Sequence, residues 1–266
     1  MKRIFINTLW TEEENGGSKA KTDINVTLRN NGYEELRTQP KWIANKKIRK
    51  GVGLLNALKL FFLGKDSVVI YQSPSYLLIL DKLIMAAHKM RKFNLVMFIH
   101  DIESLRKLYF LNNKKFPELE TSFYKQCDYI VCHNESMKKY LTGLGIPGNR
   151  IVPIEIFDYR LTNPVLSKDD GSTGDSIIIA GNLTREKSSF IYQLDAIASD
   201  NLQINLYGFG YDQKDDTKSS VNYLGLYSPE EIPYVIDGKW GLVWDGSLTY
   251  APTDFEPHGD NLLFER

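Results

Sequence analysis

Short apolar segments alternate with segments of helical periodicity along most of this 266-residue chain. In the helical segments, apolar residues recur at spacings of three and four, as on the buried side of an amphipathic helix. This alternation is typical of βαβ units, in which helices cover both faces of a parallel sheet. The sequence therefore predicts an α/β fold with parallel sheets.

The predicted strands are short and rich in β-branched and aromatic residues. They are Arg3–Asn7, Tyr33–Thr38, Ser67–Tyr71, Asn94–Ile99, Tyr129–Cys132, Ile151–Ile156, Ser176–Ala180, Gln203–Tyr207, Val221–Leu224 and Trp240–Trp244. The predicted helices are Ser18–Asn30, Lys47–Leu63, Tyr76–Lys92, Phe116–Gln126, Ser136–Leu144, Ser188–Ala198 and Pro229–Ile236.

The alternation is interrupted at residues 161–175, where proline, glycine and charged residues cluster. Such a cluster is typical of a linker. It divides the chain into an N-terminal Rossmann-like lobe, residues 1–160, and a C-terminal lobe, residues 176–266. The last residues of the second lobe show little periodicity.

Composition excludes several function classes. Lys plus Arg and Asp plus Glu number 33 each, so net charge gives no case for binding nucleic acid. No apolar run approaches the roughly 18 residues of a membrane helix, and the first residues are too interrupted for a signal peptide. We therefore expect a cytoplasmic protein, in which Cys127 and Cys132 are reduced, buried thiols.

Candidate site residues follow the predicted strands, because ligands of open α/β sheets bind beyond the carboxyl ends of the strands. Gly16 and Gly17 precede a helix, where backbone N–H groups can bind phosphate, although an ordinary loop has the same pattern. His100 and Asp101 end a strand and suit acid–base chemistry or sugar hydroxyls. A structural histidine is the alternative. Arg106 follows within reach of the same edge.

The second lobe has its own candidates at strand ends. Asn182 follows Gly181, and Arg185 and Lys187 come just before a predicted helix, as a pair of cations that could bind a diphosphate. A solvated turn explains these cations equally well. Further candidates are Tyr207 and Gly208, which could approach a nucleotide or form a tight turn, and Asp245 after the last predicted strand.

Several segments resemble the GT-B glycosyltransferases. The resemblance is closer to the small bacterial sugar transferases of serine-rich adhesin glycosylation and their galactofuranosyltransferase-like relatives. The resembling segments are NGGSK (15–19), FIHDIESLR (98–106), AGNLTREKSSF (180–190), LYGFG (206–210), VNYLG (221–225) and GLVWDG (241–246).

The resemblance implies two Rossmann-like lobes with a nucleotide sugar, a UDP-hexose, in the cleft between them. The second lobe would bind the donor and the first lobe a glycan or glycoprotein acceptor. Members of this family continue past the WDG segment with a further strand and more helices, so the resemblance also implies that the second lobe is incomplete here. The resemblance implies neither a cofactor nor an obligatory metal. It does imply a homo-oligomer. These expectations assign the residues as follows: Arg185 and Lys187 to the diphosphate, Gly16 and Gly17 to the donor-facing loop, His100 and Asp101 to the transferred sugar, Tyr207 and Gly208 to the nucleotide, and Asn182 to a position where related enzymes carry arginine.

Two alternatives remain open at this point. The chain could be a non-catalytic protein that binds nucleotide sugars or a partner on a degenerate GT-B scaffold. Separately, the basic segment Lys41–Lys50 is followed by an apolar run to Leu63. This pattern suits a helix on an anionic membrane surface as well as a solvated helix packed on the sheet.

Overall fold

The structure is a computed structural model. It describes residues 1–9, 16–40, 42–75, 77–106, 116–155, 160–161, 176–188, 190–192, 203–212, 221–228, 230–235 and 240–241. These residues form two compact units. Residues 1–9 and 17–155 belong to the first, and residues 160–241 together with Gly16 belong to the second.

The first unit is built on a six-stranded parallel sheet with the strand order β2-β1-β3-β4-β5-β6. Its strands are β1 (Arg3–Asn7), β2 (Glu34–Arg37), β3 (Val68–Ser73), β4 (Asn94–Ile99), β5 (Tyr129–Cys132) and β6 (Ile151–Pro153). Its helices are α1 (Gly16–Asn30), α2 (Lys46–Ala57), α3 (Leu78–Arg91), α4 (Glu103–Arg106), α5 (Phe116–Gln126) and α6 (Glu135–Gly143), with 3-10 turns at Leu58–Phe62 and Gly148–Arg150.

Strands β3 and β4 pair along their whole length, from Val68 opposite Asn94 to Ser73 opposite Ile99. Their carboxyl ends are therefore level, and the backbone N–H of His100 donates to the carbonyl of Ser73 at 2.9 Å. Buried residues of both strands, such as Val69 and Leu95, belong to one continuous core. This core fixes the strand ends at which the candidate residues lie.

The second unit has a four-stranded parallel sheet with the order β10-β7-β8-β9. Its strands are β7 (Ser176–Asn182), β8 (Gln203–Phe209), β9 (Val221–Gly225) and β10 (Trp240–Gly241), and its short helices are α7 (Arg185–Ser188) and α8 (Ile232–Val235). A separate core that includes Ile179, Leu206 and Phe190 lies within this unit.

Several predicted boundaries were wrong, and those of β7, β8 and α7 place candidate residues in regular structure. The strand predicted to end at Ala180 runs to Asn182, and the one predicted to end at Tyr207 runs to Phe209, because these segments pair with each other through Asn182 opposite Phe209. A short helix, Arg185–Ser188, ends where the predicted helix Ser188–Ala198 was to begin, and residues 189 and 193–198 of that prediction lie outside the described residues. The predicted helix Lys47–Leu63 is α-helical only to Ala57 and continues as a 3-10 turn.

Cys127 and Cys132 are both buried and unbonded to each other, as predicted. Burial raises the pKa of both thiols, that of Cys132 to about 11, so neither is a nucleophile near neutral pH. Within the described ranges, no helix is long and apolar enough to cross a membrane.

Candidate functional site

A chain of buried side chains holds His100 at the carboxyl edge of the first sheet. Gln72, near the end of β3, donates its amide to Asn25 Oδ1 at 2.7 Å and to the carbonyl of Lys21 at 3.3 Å. The Gln72 Oε1 atom lies 2.7 Å from His100 Nε2. All three side chains of the network, Asn25, Gln72 and His100, are at most 4% exposed. Water therefore does not compete for these hydrogen bonds.

This network selects one tautomer of His100. A backbone carbonyl can only accept a hydrogen bond, so the amide NH₂ of Gln72 must face Lys21 and its oxygen must face the imidazole. His100 consequently donates through Nε2–H, and in the neutral ring the lone pair lies on Nδ1. Nδ1 is then the ring nitrogen that can accept a proton, and this atom is itself buried.

Other polar groups of the first unit surround this strand end. The ring of His133, which follows β5, lies edge-on to the ring of His100 with centroids 6.1 Å apart. Lys21 donates its ammonium to the carbonyl of Pro74 at 2.6 Å, which ties α1 to the turn after β3. Asp101 directly follows His100 and is partly buried. The predicted pair is therefore placed at the sheet edge as expected.

For the remaining candidates near the start of α1 and in α4, the structure gives the backbone position but not every side chain. Gly16 and Gly17 form the first turn of α1 rather than a loop before it, and this correction puts their N–H groups at the start of a 15-residue helix. Arg106 is the last residue of α4, but its side chain lies outside the described part of the structure, as do the side chain of Lys187 and the whole of Asp245.

In the second unit, Arg185 is exposed and its guanidinium lies over the ring of Tyr192, 4.0 Å from the centroid. The Tyr192 ring stacks on the Tyr211 ring with centroids 5.5 Å apart, and the centroids of the Tyr211 and Tyr223 rings are 5.3 Å apart. A guanidinium over an aromatic ring keeps its full positive charge. Arg185, the predicted cation, thus lies at the end of a row of three aromatic rings.

Asn182 has a structural role in its own turn. Its Oδ1 accepts from the N–H of Thr184 at 3.1 Å, and its carbonyl accepts from the Ser188 hydroxyl at 2.6 Å. These bonds shape the start of α7 and position Arg185. Asn182 therefore orders the segment that carries Arg185.

Gly208 is required by strand packing, a role that the sequence did not predict, and it lies within β8 rather than in the tight turn that was the alternative. Its φ is +147°, and a Cβ at this position would lie 1.7 Å from the carbonyl oxygen of Gly181 on the neighbouring strand. Only glycine permits this approach of β7 and β8. Tyr207, beside it in β8, packs edge-on against Tyr227 at 6.4 Å.

Sequence reasoning missed Gln72, Asn25 and His133. The strand-end rule that selected His100 also applied to Gln72, but the predicted strand ended at Tyr71 and hid the position. Asn25 lies in the middle of α1, and nothing in its local sequence distinguishes it from a surface residue. In the residues that the structure describes, no group of three or more His, Cys, Asp or Glu is arranged to hold a metal ion.

Both units match a single family. The model of the Glucosyltransferase 3-like N-terminal domain matches residues 3–156, and that of the Glucosyltransferase 3-like C-terminal domain matches residues 177–256. The chain belongs to the Glucosyltransferase 3-like family. This membership bears out the resemblance to small bacterial glycosyltransferases.

Among curated proteins, this Glucosyltransferase 3-like chain is similar to the beta-1,6-galactofuranosyltransferase WbbI of Escherichia coli (strain K12). The two are 35% identical over 181 residues, which is 66% of this chain and 48% of the relative. The chain therefore spans about half the length of this relative.

Solved structures support the fold. The chain is similar to the lipopolysaccharide outer core galactosyltransferase WaaB, with a TM-score of 0.54 and 16% identity over 89% of this chain and 70% of that one. It is also similar to Anabaena HepE in complex with UDP and glucose, with a TM-score of 0.56 and 12% identity over 90% of this chain and 72% of that one. At these identities the likeness shows the fold, which is the predicted GT-B type.

Proposed function

We propose that this chain is a glycosyltransferase that moves a hexosyl group from a UDP-hexose to a hydroxyl of a glycan or glycopeptide. The observation that carries the proposal is His100, held in one tautomer by Gln72 at a strand end of a Glucosyltransferase 3-like chain. The E. coli relative is named a galactofuranosyltransferase, and one structure of the same fold was solved with UDP and glucose.

On the acceptor side, His100 accepts the proton of the attacking hydroxyl through Nδ1. Because the Gln72 oxygen accepts the hydrogen bond from Nε2–H, the imidazole ring does not have to rotate before it acts as a base. The same amide oxygen stabilises the positive charge that forms on the ring. Asp101, next along the chain, positions the acceptor by hydrogen bonding to a sugar hydroxyl. These roles use a histidine whose ordinary pKa lies close to neutral pH.

On the donor side, the bond between the sugar and the diphosphate breaks, and negative charge develops on the leaving UDP. Arg185 and Lys187 stabilise this charge. The N–H groups of Gly16 and Gly17 carry the positive end of the α1 dipole, which suits an anionic group. Tyr207 and Gly208 border the nucleotide, and Asp245 completes the donor site. In this proposal the cations and helix dipole neutralise the diphosphate, without an obligatory metal.

Incubation of the purified 266-residue protein with a panel of UDP-sugars and sugar acceptors tests the proposal. We expect UDP release that rises when an acceptor glycan is added, together with a product heavier than the acceptor by one hexose. If UDP binds in calorimetry but no UDP-sugar is ever cleaved, the non-catalytic binding protein is the correct description.

A specific observation also favours peripheral membrane contact. The exposed stripe of α2 and the following turn is apolar, because Ile48, Leu55 and Phe62 are 58%, 65% and 84% exposed and recur every seven residues. A helix packed on a soluble core normally turns polar residues outward. Lys47 and Lys59 are exposed within the same segment. We propose that this surface, the 48–62 stripe, lies on anionic lipid.

Vesicle co-sedimentation tests this contact. We expect binding to vesicles that contain phosphatidylglycerol, weaker binding to pure phosphatidylcholine, and a loss of roughly tenfold in Leu55→Glu. Leu226→Glu is the matched control, since Leu226 is 76% exposed in the second unit. Equal binding to both lipids, or a Leu55→Glu variant that binds normally, contradicts the proposal. If a second copy of the chain covers the 48–62 stripe instead, the wild type sediments as a dimer and Leu55→Glu sediments at half that mass.

A further inference from the structure

The row of three tyrosine rings in the second unit joins several elements to Arg185. Tyr192 follows α7, Tyr211 follows β8, and Tyr223 lies in β9. All three residues are partly buried and pack against the core of this unit. The ring at one end of the row is Tyr192, and its centroid is 4.0 Å from the guanidinium carbon of Arg185. The arginine that the proposed function assigns to the diphosphate is thus in contact with a surface built from distant parts of the chain.

The hydroxyl of Tyr192 holds its ring between two loops. It donates to the carbonyl of Leu183, directly after β7, at 3.2 Å, and it accepts from the backbone N–H of Asp212, after β8, at 3.0 Å. The Leu183 N–H donates to the carbonyl of Phe209 at 2.9 Å, which joins the same two strand ends a second time. Because its hydroxyl bonds backbone groups on both sides, the Tyr192 ring offers Arg185 a fixed surface.

The opposite end of the row is held in the same way. The Tyr223 hydroxyl donates to the carbonyl of Gly208, in the neighbouring strand β8, at 2.8 Å. Between the two ends, the planes of the Tyr211 and Tyr192 rings are only 18° apart. A rotation of the Tyr192 ring would therefore collide with a stacked neighbour that is itself packed on the core. Both the hydroxyl bonds and the stacking keep the ring under Arg185 in one orientation.

A fixed ring under an exposed arginine has a consequence for anion binding. An arginine side chain has many rotamers, and an exposed one must be ordered when it binds an anion. Ordering such a side chain weakens binding by roughly two- to tenfold. A ring that attracts the guanidinium restricts these rotamers before the ligand arrives, so most of that loss is avoided.

We propose that Tyr192 is a positioning residue, which orders the Arg185 guanidinium for the diphosphate of the nucleotide sugar. The identity of the ligand rests on the proposed function, whereas the contact between the arginine and the ring does not. In this role Tyr192 acts through Arg185 rather than by contact with the ligand. Its hydroxyl fixes the ring, and the ring orders the cation.

The order of Arg185 is measured first, without any ligand. NMR relaxation of the arginine Nε–H groups in the full chain reports side-chain mobility, and the Arg185 signal is identified by its loss in Arg185→Lys. We expect an ordered signal in the wild type and a mobile one in Tyr192→Leu. Tyr192→Met, which removes the ring but keeps more apolar volume, replaces Tyr192→Leu if that variant does not fold.

Tyr234→Leu is the matched control for this measurement, since Tyr234 is a 39% exposed tyrosine of α8 and lies outside the row. We expect Arg185 to stay as ordered in Tyr234→Leu as in the wild type. Equal mobility of Arg185 in the wild type and in the variant without the Tyr192 ring overturns the inference.

A double-mutant cycle then tests the role in binding. Calorimetric titration of UDP uses the wild type, Tyr192→Leu, Arg185→Ala and the double variant. We expect Tyr192→Leu to raise the Kd about fivefold, but by less than about twofold when residue 185 is already alanine. Tyr192→Phe keeps the ring and should stay within about twofold of the wild type.

An equal loss with and without the arginine overturns the inference, because Tyr192 would then act on the fold or directly on the ligand. If the wild type binds no UDP although the Tyr192 ring still orders Arg185, the proposed function alone is refuted.

Discussion

The two units present different kinds of sites at the ends of their parallel strands. In the first unit, His100 is buried and its orientation is fixed by side chains from α1 and β3, through Asn25 and Gln72. In the second, Arg185 is exposed and rests on Tyr192, in a turn shaped by Asn182. A buried, fixed group suits proton transfer, and an exposed cation suits a charged ligand that must enter and leave. The difference teaches that the two units divide the proposed reaction between them.

The largest expected effect comes from removing the base of the first unit. His100→Gln keeps a polar side chain beside Gln72 but has no nitrogen that can accept a proton. We expect kcat for transfer to fall by about 10³-fold, because general base catalysis contributes about 10²–10⁴-fold. Product formation at saturating donor and acceptor measures it. A fall of less than tenfold would remove His100 from the chemistry and leave it a structural residue.

The next effect concerns the stability of the second unit. In Gly208→Ala the new methyl group would meet the Gly181 carbonyl at 1.7 Å, and the φ of +147° is strained for alanine. We expect a loss of about 3 kcal/mol in the free energy of unfolding. Gly181→Ala is the matched control, because its φ is also +147° but its Cβ would meet no atom within 4 Å. It should lose only about 1–2 kcal/mol. Urea denaturation measures both, and equal losses would contradict the packing role of Gly208.

Gln72 offers a sharper test of how the first unit works. Gln72→Leu removes the acceptor of His100 Nε2–H, so both tautomers become populated, and we expect kcat to fall about tenfold with little change in KM. Gln72→Glu keeps an acceptor but adds negative charge, which raises the pKa of His100. Because the base must be neutral, the acidic limb of the pH–kcat profile should move to higher pH. An unshifted profile in Gln72→Glu would show that Gln72 only fills space.

The smallest effect tests an electrostatic feature of the first unit outside this network. Burial raises the pKa of Glu35, but hydrogen bonds from Arg29 and Asn7 and the charge of Arg37 outweigh it, so the folded pKa is lowered from 4.5. A lowered pKa stabilises the fold above the pKa of the unfolded chain, and this contribution is lost as the pH falls through the folded pKa.

We therefore expect the wild type to exceed Glu35→Gln in stability at pH 7 by less than about 1 kcal/mol, and this gap to close in acid. Urea denaturation at pH 7 and pH 3 measures it. A gap that is independent of pH would mean that shape, rather than charge, makes Glu35 stabilising.

Much of the fold follows from sequence because its signals are local. The bounds of β4, β5 and α5 agree with the predicted ones, since these segments have clear periodicity and sharp polar ends. The ends of β7 and β8 were predicted too early because glycine is a strand breaker in isolation, whereas here Gly181 and Gly208 face each other and extend the pairing.

The candidate site shows the same contrast between features that local sequence predicts and features that depend on distant residues. His100 and Arg185 could be selected from their places after strands, which a single sequence shows. The partners that define their chemistry, Gln72, Asn25 and Tyr192, lie far away along the chain or in other elements. Their roles depend on side-chain geometry between elements, for which a single sequence carries no pattern.

The central claim is that the first unit supplies the base for the acceptor hydroxyl, whereas the arginine that binds the donor diphosphate belongs to the second unit. Calorimetric titration of UDP into His100→Gln and Arg185→Ala, with Arg150→Ala as an exposed control from the first unit, tests it most directly. We predict that His100→Gln and Arg150→Ala bind UDP with the wild-type Kd, and that Arg185→Ala binds about tenfold more weakly. Weakened binding in His100→Gln with normal binding in Arg185→Ala would contradict the division.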